Sequence, residues 1–261
     1  MVKKLLKYKN FQLVITIVLF CIMFIVGSLS YTGFFSLQVI ANLFIDNAFL
    51  IVLAIGMTFV LISGGIDISV GSVLAFICMF SAYLLEFHNV HPVIVIPLML
   101  LIGALFGFLQ GCLIHFAKLQ PFIVTLAGLF LMRGLCYIVS IDTITIKNPI
   151  YKAISLYRIH ITKNAFISIN VIITLVVLAL AIYLAHFTKF GRTVYAIGGN
   201  EQSALLMGLP VGRTKVLVYT LNGFTSALAG IIFRFYMLSG YGLTGVGLEM
   251  DAIASAVIGG T

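Results

Sequence analysis

Three ionisable residues interrupt stretches of sequence where charge is costly. Asp67, Arg133 and Arg234 each stand within or beside a long uncharged run. A charged group at the centre of a bilayer costs about 2.5–3.5 kcal/mol on insertion scales, so it turns toward a protein interior or a polar cavity. Arg133 lies deep in its run and calls for a partner inside a helix bundle. Arg234 stands near the end of its run, where a long stem lets the guanidinium snorkel outward. Asp46, at the mouth of another run, reads as a helix cap. Asp67 belongs to Ser63-Gly64-Gly65-Ile66-Asp67-Ile68-Ser69-Val70-Gly71-Ser72, which breaks an otherwise apolar region from Asn47 to Leu85. Paired glycines interrupt a helix, and Asp67 or Ser69 can cap the next. Two readings stay open. The segment is a tight turn at a membrane surface, or it is broken backbone lining a polar cavity, where irregular structure is tolerated at lipid depth.

Other chemistry-bearing residues point to structure. Cys21, Cys78, Cys112 and Cys136 lie in apolar stretches without metal-ligand spacing, as buried thiols do. His88 and His91 flank a short turn without further ligands nearby, so no metal is expected. Gly103, Gly107 and Gly111 repeat every four residues, a small-residue stripe for helix packing. Gly240-Tyr241-Gly242-Leu243-Thr244-Gly245 has the form G-x-G-x-x-G, yet it follows an apolar run with no βαβ unit around it and reads as a flexible outer loop. No G-x-x-x-x-G-K-[ST] occurs, and no nucleophile, base and orienting group come together. The chain reads as no enzyme, and any ATP-driven activity requires a separate nucleotide-binding subunit.

The elements that position these residues are membrane spans. The 261 residues are 62% hydrophobic and 8% charged, with mean hydropathy +1.22, whereas a soluble domain carries about 25% charged residues. Apolar stretches near 11–29, 47–63, 70–87, 92–114, 122–140, 164–186 and 216–238 are long enough to cross a bilayer, and an eighth begins near Asp251. The expected fold is all-α, a polytopic transmembrane helical bundle in one domain over 1–261. The net charge of +8 lies in short connecting segments, so it orients a membrane protein rather than tracking nucleic acid. With the N-terminus in the cytoplasm, the inner segments carry Lys3, Lys4, Lys7, Lys9, Lys118, Lys189, Arg192, Arg213 and Lys215. The outer ones carry Lys147, Lys152, Arg158 and Lys163. The outer loop 141–163 has room for a short surface helix. In the inner loop 187–215, Asn200 can cap a helix over 201–207 that Gly208 and Pro210 stop, exposing Leu205, Leu206 and Met207. That apolar tip is a plain surface helix or a knob for a partner's groove.

Gly56-Met57-Thr58, the Ser63–Ser72 segment, Phe122-Ile123-Val124-Thr125-Leu126-Ala127-Gly128, Arg133-Gly134, 191–200 and 251–261 together resemble the ribose/branched-chain amino-acid permease family of ABC importers, with the sugar branch matching best. The wording at 46–50 and 196–208 is similar to galactofuranose transporter permeases. The resemblance implies a fold like type II ABC importer permeases and a bacterial inner-membrane location. It implies a second permease, as homodimer or heterodimer, two ATPase subunits that bind ATP and Mg, and a periplasmic sugar-binding protein. It places Gly64, Gly65, Asp67 and Ser69 near the translocation path, with Arg133 a further candidate. It makes 187–215 the cytoplasmic coupling loop, with Gly199, Asn200, Glu201, Leu205, Leu206 and Gly208 docking on the ATPase. Family members continue past Gly259-Gly260-Thr261 with further spans, so a chain truncated at its C-terminus is expected. Two other classes stay in view. An ion-coupled secondary transporter would use Asp67 as its carboxylate, and a membrane accessory protein would not transport at all.

Overall fold

The computed structural model describes residues 11–162 and 165–261. Lys3, Lys4, Lys7, Lys9 and Lys163 lie outside the described residues. In chain order the helices are α1 (Phe11–Ser30), α2 (Leu37–Ile62), α3 (Val70–Glu86), α4 (Pro92–Phe116), α5 (Pro121–Val139), α6 (Pro149–Leu156), α7 (Ile169–Phe187), α8 (Lys189–Gly199), α9 (Glu201–Leu206), α10 (Val211–Met237) and α11 (Leu248–Ile258). Four short strands, β1 (Ile144–Thr145), β2 (Arg158–Thr162), β3 (Ala165–Ser168) and β4 (Ser239–Gly240), form two antiparallel ribbons, β1 with β4 and β2 with β3. Among the described residues six helices, α1, α2, α4, α5, α7 and α10, are long and apolar enough to span a bilayer, while α3 is a shorter apolar helix of 17 residues.

Boundaries differ from the sequence expectation where local chemistry overrides hydropathy. α2 starts at Leu37 rather than near residue 47, because Ser36 Oγ accepts from the Val39 N–H at 3.3 Å and nucleates the first turn. Asp46 is therefore not a cap: it lies inside α2, exposed, and accepts from the Tyr236 hydroxyl at 3.2 Å. His91 also caps a helix: its Nδ1 accepts from the Val93 N–H at the start of α4.

The bundle is built around α10. In its most apolar window 67% of residues are buried, against none in that of α1. The largest helix contact is between α10 and α4, along the glycine stripe. A Cβ at Gly107 would overlap the Tyr219 carbonyl oxygen, and one at Gly111 would sit 2.9 Å from the Val216 Cα. The stripe lets the two backbones touch, which drives helix association where lipid removes the hydrophobic force.

Connections gather at two ends. At one, the ribbon end, β1 pairs with β4, Phe166 N–H donates to Gln38 Oε1 at 2.8 Å, and Glu86 Oε1 accepts from the N–H groups of Lys147 and Asn148. At the opposite end lie α8 and α9, the expected inner loop folded into two short helices.

Two helix ends share one geometry. At the end of α2, Ser63, Gly64 and Gly65 donate to the carbonyls of Phe59, Leu61 and Val60, with Gly64 at φ +79°. At the end of α11, Gly259, Gly260 and Thr261 donate to Ser255, Val257 and Ala256, with Gly260 at φ +101°. The Ile-Ser-Gly-Gly and Ile-Gly-Gly-Thr texts thus encode the same left-handed helix stop.

Replacing Gly107 by Val should destabilise the protein by about 1–3 kcal/mol, since the obstruction is backbone that cannot turn aside. Gly134, where an added Cβ would meet nothing within 4 Å, should accept Ala without loss. Thermal melts of both variants in detergent check this.

Candidate functional site

The Gly-rich break is partly buried: Gly64 and Ile66 are exposed, whereas its polar side chains turn inward. Asp67 and Ser69 are 2% and 1% exposed. Asp67 Oδ1 accepts from the Ser69 N–H at 2.8 Å and its hydroxyl at 2.6 Å, and Oδ2 accepts from Asn222 Nδ2 at 2.7 Å. Ser69 Oγ in turn accepts from Gln110 Nε2 at 3.0 Å, and the Ser69 carbonyl accepts from the Ser72 hydroxyl. Asn222 is eleven positions into α10, roughly 16 Å along the helix at 1.5 Å per residue. The chain Gln110–Ser69–Asp67–Asn222 ties the break to α4 and α10. Asp67 compensates the interrupted backbone directly; Ser69 is the N-cap residue of α3 but makes no side-chain cap bond.

Three further buried polar atoms around this chain have no hydrogen-bond partner among the described residues: Tyr219 Oη, Asn222 Oδ1 and Glu249 Oε2. Each faces a glycine notch. A Cβ at Gly65 would overlap Tyr219 Oη, one at Gly56 would approach Asn222 Oδ1 at 2.5 Å, and one at Gly71 would overlap Glu249 Oε2. Orphaned groups of this kind, in a low-dielectric interior, are satisfied by water or by a hydroxyl-bearing solute.

A second irregular segment meets the first. A Cβ at Gly240 would press on the Cys78 carbonyl, Met79 and Ala82, and one at Gly245 would sit 3.1 Å from the Gly71 carbonyl oxygen and close to Leu74. Residues 240–245 therefore run back along α3 into the bundle, and α11 begins beside the first turn of α3. The segment expected as a flexible outer loop is tied at both edges. β4 pairs with β1, and Arg133 donates through one guanidinium nitrogen to the carbonyls of Gly242 at 2.7 Å and Thr244 at 2.6 Å. Arg133 thus has the interior partner its depth demands, though its hydrogen bonds go to this loop rather than to Asp67.

Arg234 does not snorkel. It is fully buried, with its guanidinium carbon 4.0 Å from the Tyr151 ring centroid. The reason is α6, which folds over the end of α10 and places Tyr151 between Arg234 and solvent, against Phe235. A desolvated cation over an aromatic face contributes about 2 kcal/mol. Nothing in the sequence links Tyr151 to Arg234, 83 positions later.

The other candidate cluster lies at the opposite end. Asn200 Oδ1 accepts from the Ser203 N–H at 2.8 Å, capping α9 over Glu201–Leu206, and Glu201 pairs with Lys215 on α10 at 2.7 Å. Ile197, Ala204 and Val211 form a small core beneath it. Leu205, Leu206 and Met207 project outward at 55%, 90% and 66% exposure. Gly198 packs so closely on the Ile62 carbonyl that a Cβ would overlap it. That contact joins α8 to the residue just before the break. An open hollow of about 530 Å³, lined by Thr58, Ile62, Tyr195, Gly199 and Thr261, lies beside it. The sequence-derived candidates thus form two groups, Gly64, Gly65, Asp67 and Ser69 at the break, and Gly199, Asn200, Glu201, Leu205, Leu206 and Gly208 around α9. Gln110, Tyr219, Asn222 and Glu249 were not among them. Their signal was available as amide, phenol and carboxylate groups in or beside apolar helices.

Residues 39–261 match the family model described as branched-chain amino acid transport system / permease component. The chain is 46% identical over 253 residues to the inner membrane ABC transporter permease protein YjfF of Escherichia coli K12, covering 97% of this chain and 76% of that one. It is 42% identical to the fructose import permease protein FruG of Bifidobacterium longum, covering 94% and 74%. Against the ribose import permease protein RbsC of Bacillus subtilis it is 40% identical, covering 92% and 74%. No solved structure matches significantly.

Asp67→Ala leaves buried donors on Ser69 and Asn222 without their acceptor and should cost about 3 kcal/mol. Asp67→Asn should cost less, because Asn222 can turn its unpartnered Oδ1 toward the new amide. Denaturation of the two variants in the same detergent separates loss of hydrogen bonding from loss of charge.

Proposed function

The chain belongs to the permease-component family of branched-chain amino acid transport systems, and on that premise we propose that it forms the membrane pathway of a bacterial ATP-driven sugar importer. The observation that carries the proposal is the meeting of two stretches of irregular backbone, 63–69 and 239–247, beside the buried Tyr219 Oη, Asn222 Oδ1 and Glu249 Oε2, which have no hydrogen-bond partner among the described residues. Neutral polyols suit such a lining. They exchange hydroxyl bonds with amides and phenols and need no fixed counter-charge. The sugar import named for its relatives supports this reading, and the likeness to galactofuranose permeases makes that sugar the one to try first.

In this proposal α9 is the coupling helix, at a cytoplasmic end that also carries Lys118, Lys189, Arg192, Arg213 and Lys215, against Lys147, Lys152 and Arg158 among the described residues of the ribbon end. A partner ATPase, which holds ATP and Mg, grips Leu205, Leu206 and Met207. Its closure moves α9, α8 follows through the Asn200 cap, and Gly198 presses on Ile62 at the threshold of the break. The end of α2 then shifts against α4 and α10, and Gly64, Gly65, Asp67 and Ser69 shift with it. Arg133 keeps the 240–245 segment fixed to α5 at the other side of the path. A periplasmic binding protein delivers sugar at the ribbon end, and a second permease completes the pathway. The ion-coupled alternative needs a carboxylate free to exchange protons with the path, whereas all three hydrogen bonds at Asp67 are internal.

Leu205→Asp with Leu206→Asp should abolish co-purification of the ATPase and lower ATP-dependent sugar uptake at least about tenfold, while leaving the melting temperature unchanged because both side chains are exposed. Uptake that persists in this variant, or that collapses with an uncoupler yet survives loss of the ATPase, would overturn the reading.

A further inference from the structure

Between the first turns of α8 and α10 lies a cavity of about 490 Å³ with Lys189, Arg192 and Arg213 at its walls and Phe190, Leu209 and Leu217 beneath them. None of these three cations has an ion-pair or hydrogen-bond partner among the described residues; the one ion pair there, Lys215 with Glu201, lies outside the cavity. Two helix N-termini also open onto the space, at Lys189 and Val211; although Gly191 N–H donates to the Thr188 hydroxyl and Val211 N–H to the Leu209 carbonyl, the positive ends of both helix dipoles face it. No carboxylate lines the cavity, so three positive charges converge on it uncompensated. The cavity follows the end of α7 at Phe187 and meets the start of α10, where Leu217, 43% exposed, extends its apolar wall.

We propose that this cavity is a binding site for the headgroup of an anionic phospholipid, with one acyl chain laid along Phe190 and Leu217. Charge complementarity selects the phosphate, and the apolar floor favours a ligand that carries a hydrocarbon tail over a free anion. The volume lies in the range of ordinary small-ligand sites, enough for a glycerophosphate headgroup and the start of a chain. The site connects α8, which leads to the coupling helix, with α10, the centre of the bundle, so a bound lipid braces the joint through which the proposed motion passes. The inference rests on the permease reading only for that last consequence. Binding itself does not depend on which side of the membrane this end faces.

The test uses the full chain in nanodiscs of phosphatidylcholine with or without 30% phosphatidylglycerol (roughly the charge of an anionic leaflet). Phosphatidylglycerol should raise the melting temperature by about 2–4 °C. Arg192→Gln with Arg213→Gln should melt like wild type in pure phosphatidylcholine and lose most of the shift. Should the double variant melt low even there, Lys189→Gln alone provides the comparison and should lose part of the shift. An equal melting temperature in both lipids, a full shift retained by the charge-neutral variant, or the same shift from inorganic phosphate in pure phosphatidylcholine would each overturn the proposal. So would a variant that keeps its lipid response but no longer binds the ATPase, since the cavity would then belong to the protein partner. Failure of lipid binding leaves the Leu205 and Leu206 outcome untouched, so the two proposals fall separately.

Discussion

Within a bilayer every backbone group needs an internal partner, because no water is present to take its place. The break between α2 and α3 meets that requirement with side chains. Asp67 receives the Ser69 amide and hydroxyl on one oxygen and Asn222 on the other, and Gln110 closes the chain onto Ser69. Everything central to the molecule is arranged around this substitution. α4 and α10 approach at van der Waals distance along glycines, which brings Gln110 and Asn222 within reach of one carboxylate. A looser helix pair would leave the same polar residues stranded, and a half-satisfied network is worse than none.

The second irregular segment follows the same rule with different means. Residues 239–247 enter the bundle beside α3, and their carbonyls are met by Arg133 and by the β1 strand. The first turns of α3 and α11 therefore adjoin deep in the protein, with Glu249 beside Gly71. The proposed path draws on these two breaks, lined by glycine, amide and phenol.

Much of this was legible in the sequence. Hydropathy located the helices, the glycine repeat marked the α4 face, the Asn200 cap and Gly208 stop bounded α9, and the depth of Arg133 required an interior partner. What stayed hidden has one cause: it depends on pairs distant along the chain. Arg234 reads as a snorkelling residue until α6 is seen folded over it, and Asp46 reads as a cap until Ser36 is found to start the helix earlier. The 240–245 segment reads as a surface loop because its glycines give no hint that the space they vacate belongs to α3. Periodicity and capping are local signals, and none reports which loop covers which helix end.

The grip of Arg133 on its loop has a consequence for how such proteins diverge. It holds the backbone of Gly242 and Thr244 by their carbonyl oxygens, which every residue type supplies. Side chains between and around those positions, such as Leu243 and Val246, can change through evolution without loosening the anchor. One arginine then fixes the shape of the segment while leaving its exposed side chains free to vary, whereas Gly240 and Gly245 stay bound to their packing on α3, so what the segment touches can be retuned without rebuilding the frame that holds it.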